Sequence, residues 1–471
     1  MPTSQPFFEC RVARLFVRSL PCAARRRRRR FGLSVFSFQL ACAALLACAQ
    51  PAWAQVADPR AELAALRQEI ATLREELQAL RQIVEARAAA PSPAPEADAA
   101  AQLPMLQSQV AELAQTKVES ASKFPVRLSG MLVANAFVNS GDANWLENPN
   151  IVEAAHTGLG SQSTTLRQTR IGLAVDGPSI GGARTNAMLA FDFFGGVPGF
   201  QTGTVMGLPR LLFAFARIEG QRTALEVGQD HAVLAPRDPT SLAAQAFPAL
   251  FRSGNLYLRV PQVRVEQQLG AGVTATGAIV APLAGDFGAN YVFAPAAGAG
   301  ERSRTPAVQA RLAWQRGSHD EGREIGLGLS GHYGRERAMS ETAENWAGAV
   351  DFTATAGRIG IGGEAYYGRN IDAFGGASGQ QARAAGGFAE VRFAATPLVG
   401  INAGFGVDRV PDRDRLLAVR RENRTLFGNT IVQLTPEVAV SFEYRLLETT
   451  WRVPDAKRRN HHFDWVFAYS F

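Results

Sequence analysis

The stretch Phe463-Asp464-Trp465-Val466-Phe467-Ala468-Tyr469-Ser470-Phe471 decides the fold. Five aromatic residues, Phe463, Trp465, Phe467, Tyr469 and Phe471, stand at every second position. Successive side chains of a β-strand point to opposite faces, so the five share one face while His462, Asp464, Ala468 and Ser470 share the other. In water such a stripe is an aggregation hazard. Against lipid it is satisfied, and aromatic side chains gather at the two boundaries of a membrane barrel. The stretch predicts a strand with lipid on one side and a polar interior on the other.

Working back from it, the same period of two recurs. Ile325, Leu327, Leu329 and Tyr333 alternate with Glu324, Gly326, Gly328, Ser330 and His332. Ile359, Ile361, Ala365 and Tyr367 alternate with Gly360, Gly362, Glu364 and Tyr366, and Val438, Val440, Phe442 and Tyr444 with Glu437, Ser441, Glu443 and Arg445. Leu189, Phe191 and Phe193 alternate with Met188, Ala190 and Asp192. Sixteen such segments are predicted, at 126–138, 163–176, 183–194, 209–217, 223–231, 257–268, 272–284, 304–315, 323–335, 346–356, 358–369, 387–395, 398–408, 424–434, 437–449 and 460–471. Connections after even segments are short and turn-like, such as Gly177-Pro178, Glu219-Gly220 and Thr435-Pro436; those after odd segments are long and polar. An even strand number with short turns at one rim and long loops at the other is the pattern of a closed transmembrane barrel with both chain ends in the periplasm. No stretch beyond residue 54 is long and apolar enough for a transmembrane helix. A soluble β-sandwich is the competing all-β reading, but it hides its aromatic face inside. The fold class is therefore an all-β transmembrane barrel of sixteen antiparallel strands over 124–471.

The N-terminal quarter reads differently. The formal net charge of +7 would suggest a nucleic-acid partner, yet nine of the 49 basic residues and one of the 42 acidic ones lie within 1–54. The remainder is balanced to within one charge, and no nucleic-acid partner is expected. Residues 1–54 read as a signal peptide: Arg25 to Arg30 form a positive region, Phe31 to Ala49 an apolar one, and Ala52-Trp53-Ala54 a cleavage site. An uncleaved anchor and lipidation at Cys48 are the alternatives. All four cysteines, Cys10, Cys22, Cys42 and Cys48, lie in this segment, so no disulfide or thiol chemistry is expected beyond it.

Over 55–87, Leu63, Ile70, Leu77 and Val84 fall seven apart, and Leu66, Leu73 and Leu80 do so with an offset of three. That is the apolar seam of a coiled coil. Glu62, Glu69 and Glu76 precede Arg67, Arg74 and Arg81 by five residues, the spacing of interchain ion pairs in a parallel assembly. A lone amphipathic helix is the plainer alternative. An Ala/Pro-rich linker with a short second helix occupies 88–123.

A helical stalk, an Ala/Pro spacer and a sixteen-stranded barrel resemble the DcaP-like trimeric porins, within the wider porin superfamily. Local matches are Leu166-Arg167-Gln168-Thr169-Arg170-Ile171-Gly172, Phe191-Asp192-Phe193-Phe194-Gly195-Gly196 and Gly228-Gln229, with a departure at Asp230-His231. The final strand is similar to the C-terminal signal read by the outer-membrane assembly machinery, with Phe463, Trp465, Phe467, Tyr469 and Phe471 as its carriers. The resemblance implies a homotrimer integral to the bacterial outer membrane, with one pore per subunit and the coil in the periplasm. The expected function is a water-filled channel for passive diffusion of small polar or charged solutes. In general porins the loop after the fifth strand, here Ala232 to Leu256, folds into the lumen and narrows it.

Candidate constriction residues are Arg237, Asp238 and Arg252 in that loop, and Arg170, Asp192, Arg210, Glu226, Asp230, Arg264 and Arg311 on strand faces. Charged rings lining a pore set which ions pass, although a charge on a wet face needs no selective role. Both signs are represented, so anion and cation preference stay open. No cofactor, metal or catalytic residue is expected: none of the histidines, His156, His231, His319, His332, His461 and His462, sits in a nucleophile motif. The alternatives to a channel are a barrel enzyme and a structural envelope protein or adhesin.

Overall fold

The computed structural model describes residues 124–471, apart from 156, 198–203, 283–296, 319–321, 339–340 and 378–380. The predicted signal peptide, coiled coil and linker lie outside the described residues.

The strands are β1 (Val126–Asn139), β2 (Ser161–Thr165), β3 (Arg170–Asp176), β4 (Arg184–Asp192), β5 (Arg210–Glu219), β6 (Thr223–His231), β7 (Arg259–Gly270), β8 (Val273–Val280) and β9 (Ala307–Ser318). They continue with β10 (Arg323–Ala338), β11 (Glu341–Ala356), β12 (Ile359–Arg369), β13 (Arg383–Thr396), β14 (Val399–Arg409), β15 (Arg420–Gln433), β16 (Val438–Trp451) and β17 (Ala456–Ser470). A four-residue helix, Ala299–Arg302, sits between β8 and β9. Every strand pairs antiparallel with its neighbour, and β1 meets β17 from Met131↔Ser470 to Asn139↔His462, which closes the sheet. β2 and β3 are two halves of one barrel strand, since β2 pairs with Asn135–Asn139 of β1 and β3 with Val126–Met131. The result is a closed sixteen-stranded antiparallel barrel. Closure removes the exposed edges that would leave backbone N–H and C=O groups without partners in lipid.

The alternation sorts the two faces as the sequence predicts. Outward Trp465 is 50% exposed and Leu329 59%, whereas inward Asp464, Glu443 and Arg445 are 0% exposed. That inversion of a soluble protein suits a barrel whose solvent outside is hydrocarbon. The outward stripe from Phe463 to Phe471 spans roughly 27 Å along the strand at ~3.4 Å per residue, or ~20 Å along the axis at the usual barrel tilt. Outward Tyr333, Tyr367 and Tyr444 stand near the other boundary, where amphipathic rings are stable.

Three expectations need correction. The segment 163–176 is not one continuous strand: the chain leaves the sheet between Thr165 and Arg170. There Thr169 Oγ1 accepts a bond from Val133 N–H at 3.1 Å, replacing a ladder bond, and Gln168 turns inward to complete burial. The connection after the ninth barrel strand is also not long. β10 and β11 stay paired from Arg323↔Ala356 to Ala338↔Glu341, because the residues read as loop continue the ladder. The connection after the fifteenth barrel strand is likewise shortened, to 452–455, whereas 140–160, 193–209, 232–258, 281–306, 370–382 and 410–419 are long and begin and end at strand ends on the rim opposite the short turns.

Candidate functional site

The site is the barrel interior and the loop 232–258 that occupies it. This loop is rich in alanine and other small residues, which allow its backbone to approach the wall closely. It enters along β9 and β10, where Val233 N–H donates to Gln309 Oε1 at 2.6 Å and Ala235 N–H to Ser330 Oγ at 3.2 Å. Thr240 N–H donates to Glu390 Oε2 on β13 at 2.8 Å, and Ser241 Oγ to Glu443 Oε2 on β16 at 2.5 Å. On the opposite wall, Gln168 Nε2 donates to Ala243 O, and its Oε1 accepts from Gln245 and Ala246 N–H at 2.8 and 2.9 Å. Returning, Leu256 N–H and Asn255 Nδ2 donate to Glu364 Oε1 on β12 at 2.9 and 3.1 Å. Carboxyl oxygens of the wall thus accept loop N–H groups that would otherwise be buried without a partner. Gly254 has φ +101°, and a Cβ there would meet Gly387 O at 2.0 Å, so a side chain is excluded.

The loop is also held by rings. Trp145 from loop 140–160 stacks on Phe247 at 4.4 Å, Phe247 stacks on Phe251 at 5.1 Å, and Phe194 and Tyr257 meet Phe247 edge-on. Guanidinium groups lie over these faces: Arg252 over Trp145 at 5.3 Å, Arg167 over Phe194 at 4.5 Å, Arg210 over Phe247 at 4.6 Å. Each such contact contributes ~0.5–2 kcal/mol depending on desolvation. Three loops are therefore joined inside the barrel.

The sequence-predicted constriction residues fall into separate groups. Arg170, Asp192 and Arg210 come together at the facing ends of β3, β4 and β5. Arg210 holds Asp192 through Nη2 at 2.5 Å and Nε at 3.1 Å. Glu226, Asp230 and Arg264 form a second network: Arg264 Nη2 reaches Glu226 at 2.8 Å and Asp230 at 2.7 Å. Arg237 and Arg311 converge from loop and wall on Asp351, at 2.9 Å from Arg237 Nε and 3.0 Å from Arg311 Nη2. Arg252 stands apart in the aromatic stack. Asp238 is open to the lumen yet enclosed by wall at longer range. That enclosure raises its carboxyl to about 6, against the pull of Arg259, a bond from Asn255 and the field of Arg170; nearby Glu390 adds to the rise.

Arg170 and Arg259 differ from the rest. Arg170 donates through Nη2 to Gln245 O, and its Nε has no partner. Arg259 lies over Phe213 and Tyr257, each at 4.9 Å, and its Nε is likewise unpartnered. Among the described residues neither has a carboxylate within ion-pair distance, whereas Arg210, Arg237, Arg264 and Arg311 each do.

The sequence reading missed Arg259, Asp351, Arg217, Glu266 and Gln168. Arg217 bridges Glu226 at 3.2 Å and Glu266 at 2.5 Å. Strand parity alone places Asp351, Arg217 and Glu266 inward. Gln168 announces itself through the slip in alternation across Leu166-Arg167-Gln168-Thr169-Arg170, where both parities carry polar groups. His462 and Asp464 face inward as expected, but both are fully covered, bonded to Asn139 and Asn135 respectively, and line no water.

Neither a protein-family model nor an individually characterised protein matches the sequence. Solved structures do. The outer membrane channel DcaP of Acinetobacter baumannii is similar with a TM-score of 0.60 and 16% identity, over 74% of this chain and 99% of that one. OmpF of Salmonella typhi, solved with daunomycin, gives 0.51 and 9% over 74% and 98%. An anion-selective porin from Comamonas acidovorans gives 0.50 and 12% over 74% and 100%. The chain has the fold of bacterial outer-membrane porins.

Proposed function

We propose that this chain forms a passive, water-filled channel across a bacterial outer membrane, narrowed by the loop 232–258 and favouring small anionic solutes. The observation that carries the reading is the pair Arg170 and Arg259: two guanidinium groups beside the loop inside the barrel, with no carboxylate in contact among the described residues. A permeating anion that sheds water needs a replacement partner, and these groups supply one. The paired charges around them contribute a transverse field without strong net sign. Asp351, Glu226 and Asp192 are occupied by arginines and offer little to a cation.

The short turns face the periplasm and the long loops the exterior. A homotrimer joined in part by the 55–87 coil in the periplasm accords with the heptad seam and interchain charge spacing. One chain closes its own barrel, which disfavours an adhesin whose barrel is assembled from several chains.

The test is single-channel recording in planar bilayers under a salt gradient. The expected result is stepwise conductance with a reversal potential of anion-preferring sign, which the double variant Arg170→Ala/Arg259→Ala moves toward zero or beyond. A well-folded protein that carries no current excludes the channel. Unchanged selectivity in the variant excludes these two arginines as its source.

A further inference from the structure

At the turn end of the barrel, the register sets Thr355, Gly360, Arg392 and Asn402 side by side in one row across β11, β12, β13 and β14. They alternate along their strands with lipid-facing Ile361, Phe393 and Ile401, so the row faces the lumen. Beneath Thr240 of the loop these residues line a concavity of about 420 Å³, which Gln433 and Gly400 complete. Small-molecule sites occupy roughly 300–1,000 Å³. Two of its lining residues, Arg392 and Arg358, are cations, none is acidic, and none is a candidate constriction residue.

The row is built around Arg392. A Cβ at Gly360 would come within 3.0 Å of Arg392 Nε and 3.3 Å of its Nη2, so the guanidinium lies across a strand left bare for it. Glycine inside a strand marks such a close approach. Arg392 Nη2 donates to Thr353 Oγ1 at 3.2 Å, and Nε is covered without a bonded partner. Glu390 stands 3.6 Å from Nε, but its two oxygens accept from Thr240 N–H at 2.8 Å and Thr240 Oγ1 at 3.3 Å. Arg392 Nη1 bonds to none of the described residues and is the nitrogen left to the concavity.

The two amides beside it are turned the other way. Asn402 Nδ2 donates to Asn429 Oδ1 at 2.8 Å, and Gln433 Nε2 donates to Thr435 O at 2.7 Å. Their donors are engaged, and their carbonyl oxygens accept from none of the described residues. One cationic donor and two neutral acceptors complement a solute with an anionic head and hydroxyl groups, because hydroxyls supply the donors that carbonyl oxygens take.

We infer that this concavity is a binding station for a small polyhydroxylated anion, a sugar acid or sugar phosphate. Its carboxylate or phosphate meets Arg392, and its hydroxyl groups donate to Asn402 and Gln433. The inference rests on the water-filled lumen of the proposed channel, and not on the preference assigned to Arg170 and Arg259.

The test places a thiol in the concavity. A Cβ at Gly400 would meet open space, so Gly400→Cys is introduced into the full chain with its four cysteines changed to serine. The detergent-purified protein is labelled with a water-soluble thiol reagent, and the rate is followed against added glucose 6-phosphate, gluconate, glucose or inorganic phosphate. Glucose 6-phosphate and gluconate are expected to slow labelling. Glucose, without the charge, and inorganic phosphate, without the polyol, should each need at least about tenfold higher concentration. That comparison uses one folded protein and stays decisive if a further variant fails to fold. Adding Arg392→Gln should weaken protection roughly 10- to 100-fold, the usual worth of hydrogen bonds to a charged group. Gly360→Val, which displaces the guanidinium and suits a strand, should weaken it as well. Arg170→Ala/Arg259→Ala should leave protection intact. Labelling that no solute slows overturns the inference alone, as does protection equal for glucose and glucose 6-phosphate, protection by inorganic phosphate at the same concentration, or protection unchanged in Arg392→Gln. A thiol that never reacts would mean that no water reaches the lumen there, and would overturn the channel reading with it.

Discussion

Two sectors of the same wall have the same alternation and opposite fates. On β16, β17 and β1 the inward residues Glu443, Arg445, His462, Asp464 and Asn135 are all but wholly buried. On β5, β6 and β7 the inward Arg217, Arg264, Glu266 and Asp230 keep part of their surface in water. The difference is what lies over them. Loop 140–160 bonds to the first sector through Asn148 Oδ1, which accepts from Arg445 Nη1 at 2.8 Å, and loop 232–258 covers the rest. Strand parity decides that a polar side chain points inward; the loops decide whether it meets water there. Inward polarity thus divides into two jobs, anchoring loops and facing solute.

The buried sector is the sharper place to break this contrast. Arg445 holds Glu443 at 2.6 Å with neither exposed. Arg445→Ala leaves that carboxylate buried with Ser241 and Asn429 but without its cation. Removing one member of a buried pair costs ~3–5 kcal/mol. Arg184→Ala in the exposed pair with Glu219 at the turn end is expected to cost less than ~0.5 kcal/mol, because the pair is solvated. Denaturant unfolding of the purified barrel, followed by the gel-mobility difference between folded and unfolded forms, compares the two. Equal losses would remove the distinction between sectors.

The next test moves the loop rather than the wall. Gly254→Val requires a backbone conformation at φ +101° that branched side chains resist and drives a Cβ into Gly387 O. The local penalty is on the order of 1–3 kcal/mol, enough to detach the return limb of the loop while the barrel stays closed. Single-channel current should rise and selectivity should fall. A variant with unchanged current would mean that this limb does not narrow the path.

How far these features could be read from the sequence follows from the distances over which they are decided. The strands were legible because a period of two is local, and the lipid-facing stripe at Phe463–Phe471 was legible because burial in lipid leaves no other use for it. The break at Gln168 was only half legible. Its alternation slips, but the partner that makes the slip useful, the backbone of Gln245 and Ala246, lies 77 and 78 residues on. The Arg311–Asp351 pair spans 40 residues and two hairpins, and Arg445 meets Asn148 across 297. Inward charges could be named from parity, yet neither the sorting of Arg210 into a paired group and Arg259 into an unpaired one, nor the burial of His462, has any local signature. Loop 336–345 was misread for the opposite reason: charged residues there look like solvent-exposed loop, and they are simply the ends of two long strands.

The smallest expected effect tests a single charge on the loop itself. Asp238 faces Arg170 and Arg259 and accepts a bond from Asn255, with Glu390 near it across the loop; its carboxyl sits at about 6 rather than in the ordinary carboxylate range. A raised value means that the neutral form prevails below about pH 6 and the anion above it. Ionising the group therefore works against the folded loop, and the loop is tightest on the acid side, with that advantage lost as pH rises through the window. For permeation the sign is also fixed. Lowering the pH through 6 removes one negative charge beside the unpaired guanidinium groups, so the reversal potential should move further toward anion preference, along a single titration curve. Asp238→Asn carries no ionisable group there and should show the acid-side value across the whole range, with the pH step gone. A step that persists in the variant would assign it to another group and would leave Asp238 an ordinary wetted loop residue. A variant that is flat but cation-preferring would reverse the assigned sign of the lumen.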